Sequence, residues 1–193
     1  MTYEPPFNAT PDPSPWLRCL GPRPWEAAYR ASAEAVAAVM QGGRVERVKL
    51  ATDPDDPLPC SIRLTLSRAD WIEASVVDLA RYVTECRVSE EFQLEREIDE
   101  DCGEADWDLD SFFEAKWYLG DSALAGVRHQ IAEGISAPPG EADREINCAF
   151  DFLVARTDRL VGTWWAHIVR VAENLLLRGA LTGDEVDALL RED

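Results

Sequence analysis

The chain has 193 residues, 46% of them hydrophobic, which is enough for one domain with its own core. Its 37 acidic residues against 19 Lys and Arg residues give a formal net charge of −18, which repels phosphate backbones and anionic lipids and attracts basic partners. This charge argues against direct nucleic-acid binding and membrane binding, and no apolar run approaches the roughly 18 residues that span a bilayer.

The N-terminal 24 residues contain seven of the twelve prolines. Proline fixes φ and lacks a backbone N–H donor, so this stretch is predicted to be extended and without regular structure. It has no basic region followed by an apolar one, so we expect no secretory signal and a cytoplasmic protein. The predicted organisation is an extended segment over residues 1–24 followed by a single domain over residues 25–193.

The first regular elements are predicted to be a helix and a small β-hairpin. Apolar residues recur with a helical period from Trp25, and Gly42-Gly43 provides a stop. Residues 44–50 and 60–66 each alternate apolar and polar side chains, which is typical of half-buried strands. The turn-like sequence DPDDPLP lies between them, so the two strands are expected to pair antiparallel.

Helices are predicted over most of the middle of the chain. Ser67 precedes an apolar helical pattern that continues to Cys86, and it is predicted to cap that helix. Another helix is predicted to begin near Asp108 or Asp110, and a short one covers residues 121–133. The sequence Pro-Pro-Gly then breaks the chain.

The C-terminal part of the chain contains the longest periodic pattern. An apolar stripe runs from Ile146 to Leu175 and predicts one long amphipathic helix. Thr182 and Glu185 have capping-box spacing, so a short helix is predicted to begin there. Together these elements predict a mainly α fold (α+β class) in which an antiparallel hairpin is the one small β element.

The most acidic part of the chain is residues 90–114, which hold twelve acids and one base, Arg96. The run lacks the D-x-D-x-D-G spacing of a calcium loop, so a solvated acidic face is favoured over a metal site. Such a face can also attract a basic partner or mimic nucleic-acid phosphates. The candidate interaction surface consists of Glu90, Glu91, Asp99, Glu100, Asp101, Glu104 and Trp107.

The five cysteines are far apart and form no C-x-x-C pair, and the chain has two histidines. These numbers favour neither a structural zinc cluster nor a disulfide framework. We therefore expect reduced, mostly buried thiols, no bound metal and no cofactor.

Two separated stretches of the sequence carry a family resemblance. The sequence AYRASAEAVAAV begins at Ala28 and is followed by GGRVERVKL, and the sequence LTGDEV begins at Leu181 after the long helical stripe. The first is similar to a helix of the form A-Y-H-E-A-G-H-A-V-V-A with the strand that follows it. In this order, the two stretches resemble the FtsH-type zinc peptidases, and the resemblance implies a helical zincin-like domain.

The same resemblance implies that the zinc chemistry has been lost. A helical metallopeptidase uses H-E-x-x-H, in which two His bind zinc and the Glu activates a water. Arg30, Ala31 and Glu34 occupy those positions: a permanent cation, a side chain that cannot accept a proton, and a carboxylate that cannot complete a metal site alone. The family's third ligand corresponds to Asp106 or Asp108. Arg30 and Glu34 lie one helical turn apart and are expected to pair, with the later Asp nearby.

The sequence therefore predicts a catalytically inactive FtsH-peptidase-like pseudo-enzyme that acts as a protein-interaction or inhibitory module. Its partner is expected to be a protein, and the charge favours a basic one. Two alternatives stay open. One is an acidic nucleic-acid mimic that inhibits a basic nucleic-acid-binding protein, and the other is a metal-dependent hydrolase that uses Glu34 with Asp106 or Asp108.

Overall fold

The computed structural model describes residues 24–50, 60–66, 70–94, 113, 122–135 and 142–192. Within these ranges the chain is mainly helical and carries a small antiparallel sheet of three strands, which confirms the predicted mainly α class with a small β element. The elements in chain order are α1 (Pro24–Met40), β1 (Arg44–Leu50), β2 (Cys60–Thr65), α2 (Trp71–Leu94), α3 (Ser122–Ile135), α4 (Ala142–Arg178), β3 (Ala180–Thr182) and α5 (Gly183–Arg191).

Helix α1 lies at the centre of the fold, where it packs against α2, α4 and the sheet. Its short side chains allow this, because the distance between packed helix axes depends on the side chains at the contact. Gly42 follows the helix with a φ of 77°, a left-handed conformation that glycine adopts without strain. The buried apolar side chains of α1 are Ala27, Ala28, Ala31, Ala33, Ala35, Val36, Ala37 and Ala38.

The sheet has the strand order β2-β1-β3, and β1 is antiparallel to both neighbours. The predicted β1–β2 pairing is confirmed. Val48 lies opposite Ile62 on β2 and Leu181 on β3, and Val48 and Leu181 are buried in the core. The sequence does not predict β3, because three residues are too few to show an alternating pattern.

The long helix α4 confirms the predicted C-terminal stripe and packs against α1, α2 and α3. An ion pair ties it to α2, since Nη2 of Arg87 lies 2.6 Å from Oδ1 of Asp158. None of the described helices, α4 included, combines the length and the apolar composition that crossing a bilayer requires. The buried apolar side chains of α4 are Leu153, Val154, Val161, Trp164, Ile168, Val171, Ala172 and Leu175.

The start of α2 differs from the prediction. The helix begins at Trp71, and the Ile72 amide donates a hydrogen bond to Oδ1 of Asp70 at 3.4 Å. Asp70 therefore precedes the helix and caps it, instead of lying in its first turn. The proposed cap Ser67 lies outside the described residues.

The helix predicted to begin near Asp108 or Asp110 lies outside the described residues, apart from Phe113. The Phe113 ring is buried and packs edge-to-face against Phe150 of α4, with the ring centroids 5.6 Å apart. This contact joins the residue to the core that α2 and α4 share.

The start of α5 confirms the predicted capping box. The Glu185 amide donates to the Thr182 hydroxyl, and the Thr182 amide donates to Oε2 of Glu185 at 2.8 Å. The Glu185 carboxylate also accepts a hydrogen bond from Arg178 at the end of α4. These bonds satisfy backbone N–H groups at the N-terminus of α5 that have no carbonyl partner within the helix.

Candidate functional site: the charge cluster between the first two long helices

Arg30 and Glu34 lie on one face of α1, one helical turn apart. Arg30 and Glu34 are both half-buried. Ala31, which the family resemblance aligns with a catalytic Glu, is 2% exposed and belongs to the hydrophobic core.

Helix α2 supplies three more charged residues to the same region. Asp78, Arg81 and Glu85 follow one another at spacings of three and four positions, so they share one face of the helix. We call Arg30, Glu34, Asp78, Arg81 and Glu85 the α1–α2 charge cluster. It lies where the two helices pack together and holds three carboxylates and two guanidinium groups.

Arg30 forms an ion pair across the helix interface. Its Nε lies 3.3 Å from Oε2 of Glu85, whose side chain is 13% exposed. The sequence predicted Glu34 as the partner of Arg30, and this prediction is wrong for the described structure. Glu34 senses the charge of Arg30, but the carboxylate at ion-pair distance is Glu85 of the neighbouring helix. The pair therefore links α1 to α2 instead of linking two turns of α1.

Burial raises the pKa of Glu34 above its ordinary value, because desolvation disfavours the ionised carboxylate. The positive charge of Arg81 opposes this shift, the negative charge of Asp78 adds to it, and Arg30 opposes it more weakly. The two cations thus offset only part of the desolvation. Glu34 is therefore a carboxyl group whose pKa lies above its ordinary value.

Asp78 and Arg81 extend the same network towards α3. Burial raises the pKa of Asp78, and Arg81 and a 3.4 Å hydrogen bond from Nε2 of Gln130 offset part of this shift. Burial lowers the pKa of Arg81, but Tyr82, Glu34 and Asp78 together raise it above its ordinary value. Arg81 therefore remains a cation inside the cluster.

Tyr82 holds the Arg81 side chain in place. Nη2 of Arg81 donates a hydrogen bond of 3.0 Å to the Tyr82 hydroxyl, and its guanidinium carbon lies 4.7 Å from the Tyr82 ring centroid. A guanidinium over an aromatic ring gains a cation–π attraction in addition to the hydrogen bond. The Nε atom of Arg81 is buried without a hydrogen-bond partner among the described residues.

The thiol of Cys60 on β2 interacts electrostatically with Arg30, Glu34 and Arg81 of this cluster. Burial raises its pKa, and Arg30 offsets part of that shift while Glu34 adds to it. A thiol with a raised pKa stays protonated near neutral pH and is a weak nucleophile. In the described part of the chain, no group of three His, Cys, Asp or Glu side chains has a geometry that could hold a metal ion.

The other predicted site residues either lie outside the described residues or are described by their backbone alone. Asp106 and Asp108 lie outside the described residues, so their distance from Arg30 and Glu34 stays a prediction. In the candidate interaction surface, Glu90 and Glu91 are described only as backbone of α2. The remaining members, Asp99, Glu100, Asp101, Glu104 and Trp107, lie outside the described residues.

The sequence analysis missed Asp78, Arg81 and Glu85. A signal for them exists, because a row of charges at helical spacing interrupts a helix that is otherwise apolar on its inner faces. The ambiguity is that such a row usually marks the solvent side of a helix. Only the packing of α1 against α2 turns this row towards Arg30 and Glu34.

The two stretches that carry the family resemblance contact each other. Strand β1, which follows α1, pairs with β3, so that Lys49 lies opposite Ala180 and Arg47 opposite Thr182. Helix α1 also packs along α4, the helix that precedes β3. Gly183 lies against the backbone of Val45, where an added Cβ would overlap the Val45 carbonyl oxygen.

A comparison of the chain with models of known protein families and with curated proteins found no match to either.

Proposed function

We propose that the chain is a catalytically inactive domain of FtsH-peptidase-like, zincin-like descent that works as a protein-interaction or inhibitory module. The observation that carries the proposal is the ion pair between Arg30 and Glu85. A permanent cation stands at the first zinc-ligand position of the motif, and a carboxylate on the adjacent helix compensates its charge. Ala31 at the general-base position supports the same conclusion, since a methyl group cannot activate water.

A partner of basic character is part of this proposal. Residues 90–114 carry twelve acids and one base, and the whole chain carries −18, so association with a cationic surface gains long-range attraction. We place the protein in the cytoplasm, and the free thiols at Cys60 and Cys148 support a reducing compartment.

The catalytic half of the proposal is tested on the purified full chain. We expect no stoichiometric zinc by elemental analysis and no cleavage of an unstructured protein substrate with or without added zinc. Stoichiometric zinc together with cleavage that EDTA abolishes would contradict the proposal and favour a metal-dependent hydrolase.

The binding half is tested by affinity capture from the native cell extract at low and high salt. A variant with four acids of the candidate surface neutralised (D99N/E100Q/D101N/E104Q) is compared with a control that removes the same charge from exposed positions elsewhere (E133Q/E145Q/D151N/E192Q). We expect the wild type and the control to capture the same protein at low salt, and the first variant to lose it. Equal capture by both variants would remove the acidic surface from the proposal.

A further inference from the structure

The solvent face of the small sheet carries a basic cavity. Arg47 and Lys49 of β1, together with Ser61 and Arg63 of β2, line a concavity of about 320 Å³. Alternate residues of a strand share one face, so these side chains stand opposite the buried row that contains Val48. We call this feature the basic sheet cavity.

The strand register concentrates positive charge in the cavity. Arg47 lies directly opposite Arg63, and Lys49 lies directly opposite Ser61. Like charges in directly opposed positions destabilise a sheet. The bulge between Val45 and Arg47 shifts the register, so that Glu46 takes no partner on β2 and does not line the cavity. The three cations thus share one side of the sheet, and Glu46 is not among the described residues that line the cavity.

Within the described ranges, these three cations have no acidic partner. Acids outnumber bases by 37 to 19 in the chain, yet none of the carboxylates in the described ranges lies within 4.0 Å of Arg47, Lys49 or Arg63. By contrast, Arg30, Arg87 and Arg178 all have acidic partners. The basic sheet cavity is therefore a local cationic site on a strongly anionic protein.

We propose that the basic sheet cavity binds the dianionic phosphate group of a small phosphomonoester. Two guanidinium groups present several N–H donors in a fixed planar arrangement that matches phosphate oxygens, and the Ser61 hydroxyl and Lys49 ammonium add further donors. A phosphate between Arg47 and Arg63 replaces their mutual repulsion by two attractions. This proposal is independent of the function proposed above.

Size and charge favour a small ligand over a polymer. A cavity of about 320 Å³ is at the lower end of the range for small-molecule sites. A nucleic acid would extend beyond three cations and meet the field of a chain that carries −18 in total. A small anion fits within the cavity and does not contact the acidic surface.

The test is isothermal titration calorimetry on the full chain above neutral pH, at an ionic strength held constant with sodium chloride. The probes are phenyl phosphate, inorganic phosphate and a short DNA duplex. The site variant is R47Q/R63Q, and the control R44Q/R159Q removes the same charge from exposed arginines that do not line the cavity. Far-UV circular dichroism and thermal melts establish that both variants are folded.

We expect saturable binding of phenyl phosphate that R47Q/R63Q weakens at least about tenfold and that R44Q/R159Q leaves unchanged, because hydrogen bonds to charged groups are lost in the site variant alone. The proposal is overturned if no saturable binding occurs, if both folded variants lose it equally, or if inorganic phosphate or the duplex binds more tightly than phenyl phosphate. If R47Q/R63Q fails to fold, S61A and R63Q are measured singly, and binding unaffected by both overturns the proposal.

Discussion

Nε of Arg30 on α1 lies 3.3 Å from Oε2 of Glu85 on α2, and the Glu85 side chain is 13% exposed. This ion pair joins α1 to α2, the helix with which it packs most extensively. Around it, Glu34, Asp78 and Arg81 form a network in which the charge of Arg81 offsets only part of the desolvation of the two carboxyl groups. The stability and the pH response of the domain should therefore depend on these few side chains.

Replacing Arg30 by Met should destabilise the fold, because Glu85 would be left mostly buried without its cation. Breaking a fully buried pair costs about 3–5 kcal/mol, and the 31% exposure of Arg30 reduces this through solvent screening, so we expect a loss of about 1–2 kcal/mol in the free energy of unfolding. Urea denaturation measures it. The double variant R30M/E85Q should lose less than the sum of R30M and E85Q.

The control for this prediction is Arg191→Met. Arg191 is 79% exposed, and its distance of 4.0 Å from Asp187 is longer than the 3.3 Å between Arg30 and Glu85. Exposed pairs contribute about 0–1 kcal/mol, so R191M should change stability little. Additive effects of R30M and E85Q would show that the two side chains do not interact in solution.

Glu34→Gln should stabilise the protein increasingly as the pH rises. The pKa of Glu34 is raised in the folded state, so between its ordinary value of 4.5 and the raised value the folded state binds more protons than the unfolded state. The contribution of Glu34 to stability is therefore present below pH 4.5 and is lost as the pH rises through the raised pKa. Thermal melts of the wild type and E34Q from pH 4.5 upwards measure the difference in their stability. A difference in stability that does not change with pH would contradict the raised pKa of Glu34.

Glu185→Gln should show the opposite dependence on pH. The hydrogen bond from the Thr182 amide, followed by that from Arg178, lowers the pKa of Glu185 to about 2. Its contribution to stability is therefore present above the ordinary value of 4.5 and is lost as the pH falls towards about 2. E185Q should be less stable than the wild type at neutral pH, and the difference should shrink in acid. The same melts test both glutamates, and equal slopes for E34Q and E185Q would refute one of the two shifts.

Gly183→Ala should destabilise the domain, because the added Cβ would overlap the Val45 carbonyl oxygen and lie 2.9 Å from the Val45 carbonyl carbon. Overpacking of this kind costs about 1–3 kcal/mol or more, since backbone must move. The matched control is Gly126→Ala in the interior of α3, where the added Cβ meets nothing within 4 Å and should stabilise the helix by about 0.5–1 kcal/mol. Chemical denaturation of both variants provides the comparison, and a G183A protein as stable as wild type would show that β1 and α5 separate easily.

Much of the architecture follows from local patterns in the sequence. The alternation in residues 44–50 and 60–66 predicts the β1–β2 pair, and the apolar stripe from Ile146 to Leu175 predicts α4. The Thr182–Glu185 capping box is found as predicted. The pattern behind each of these features is set by residues that are close together in the sequence. The partner of Arg30 could not be predicted in this way, because Glu34 and Glu85 are both acids and only one is brought to it by packing.

By itself, the sequence determined the net negative charge, the helical class, the hairpin and the capping box of α5, because each of these depends on composition or on near neighbours along the chain. Only the tertiary structure decided that Arg30 pairs with Glu85, that Glu34 is desolvated, that Gly183 lies against Val45 and that Arg47 faces Arg63. Each of these four depends on segments far apart in the chain, whose approach is set by the packing of the common core.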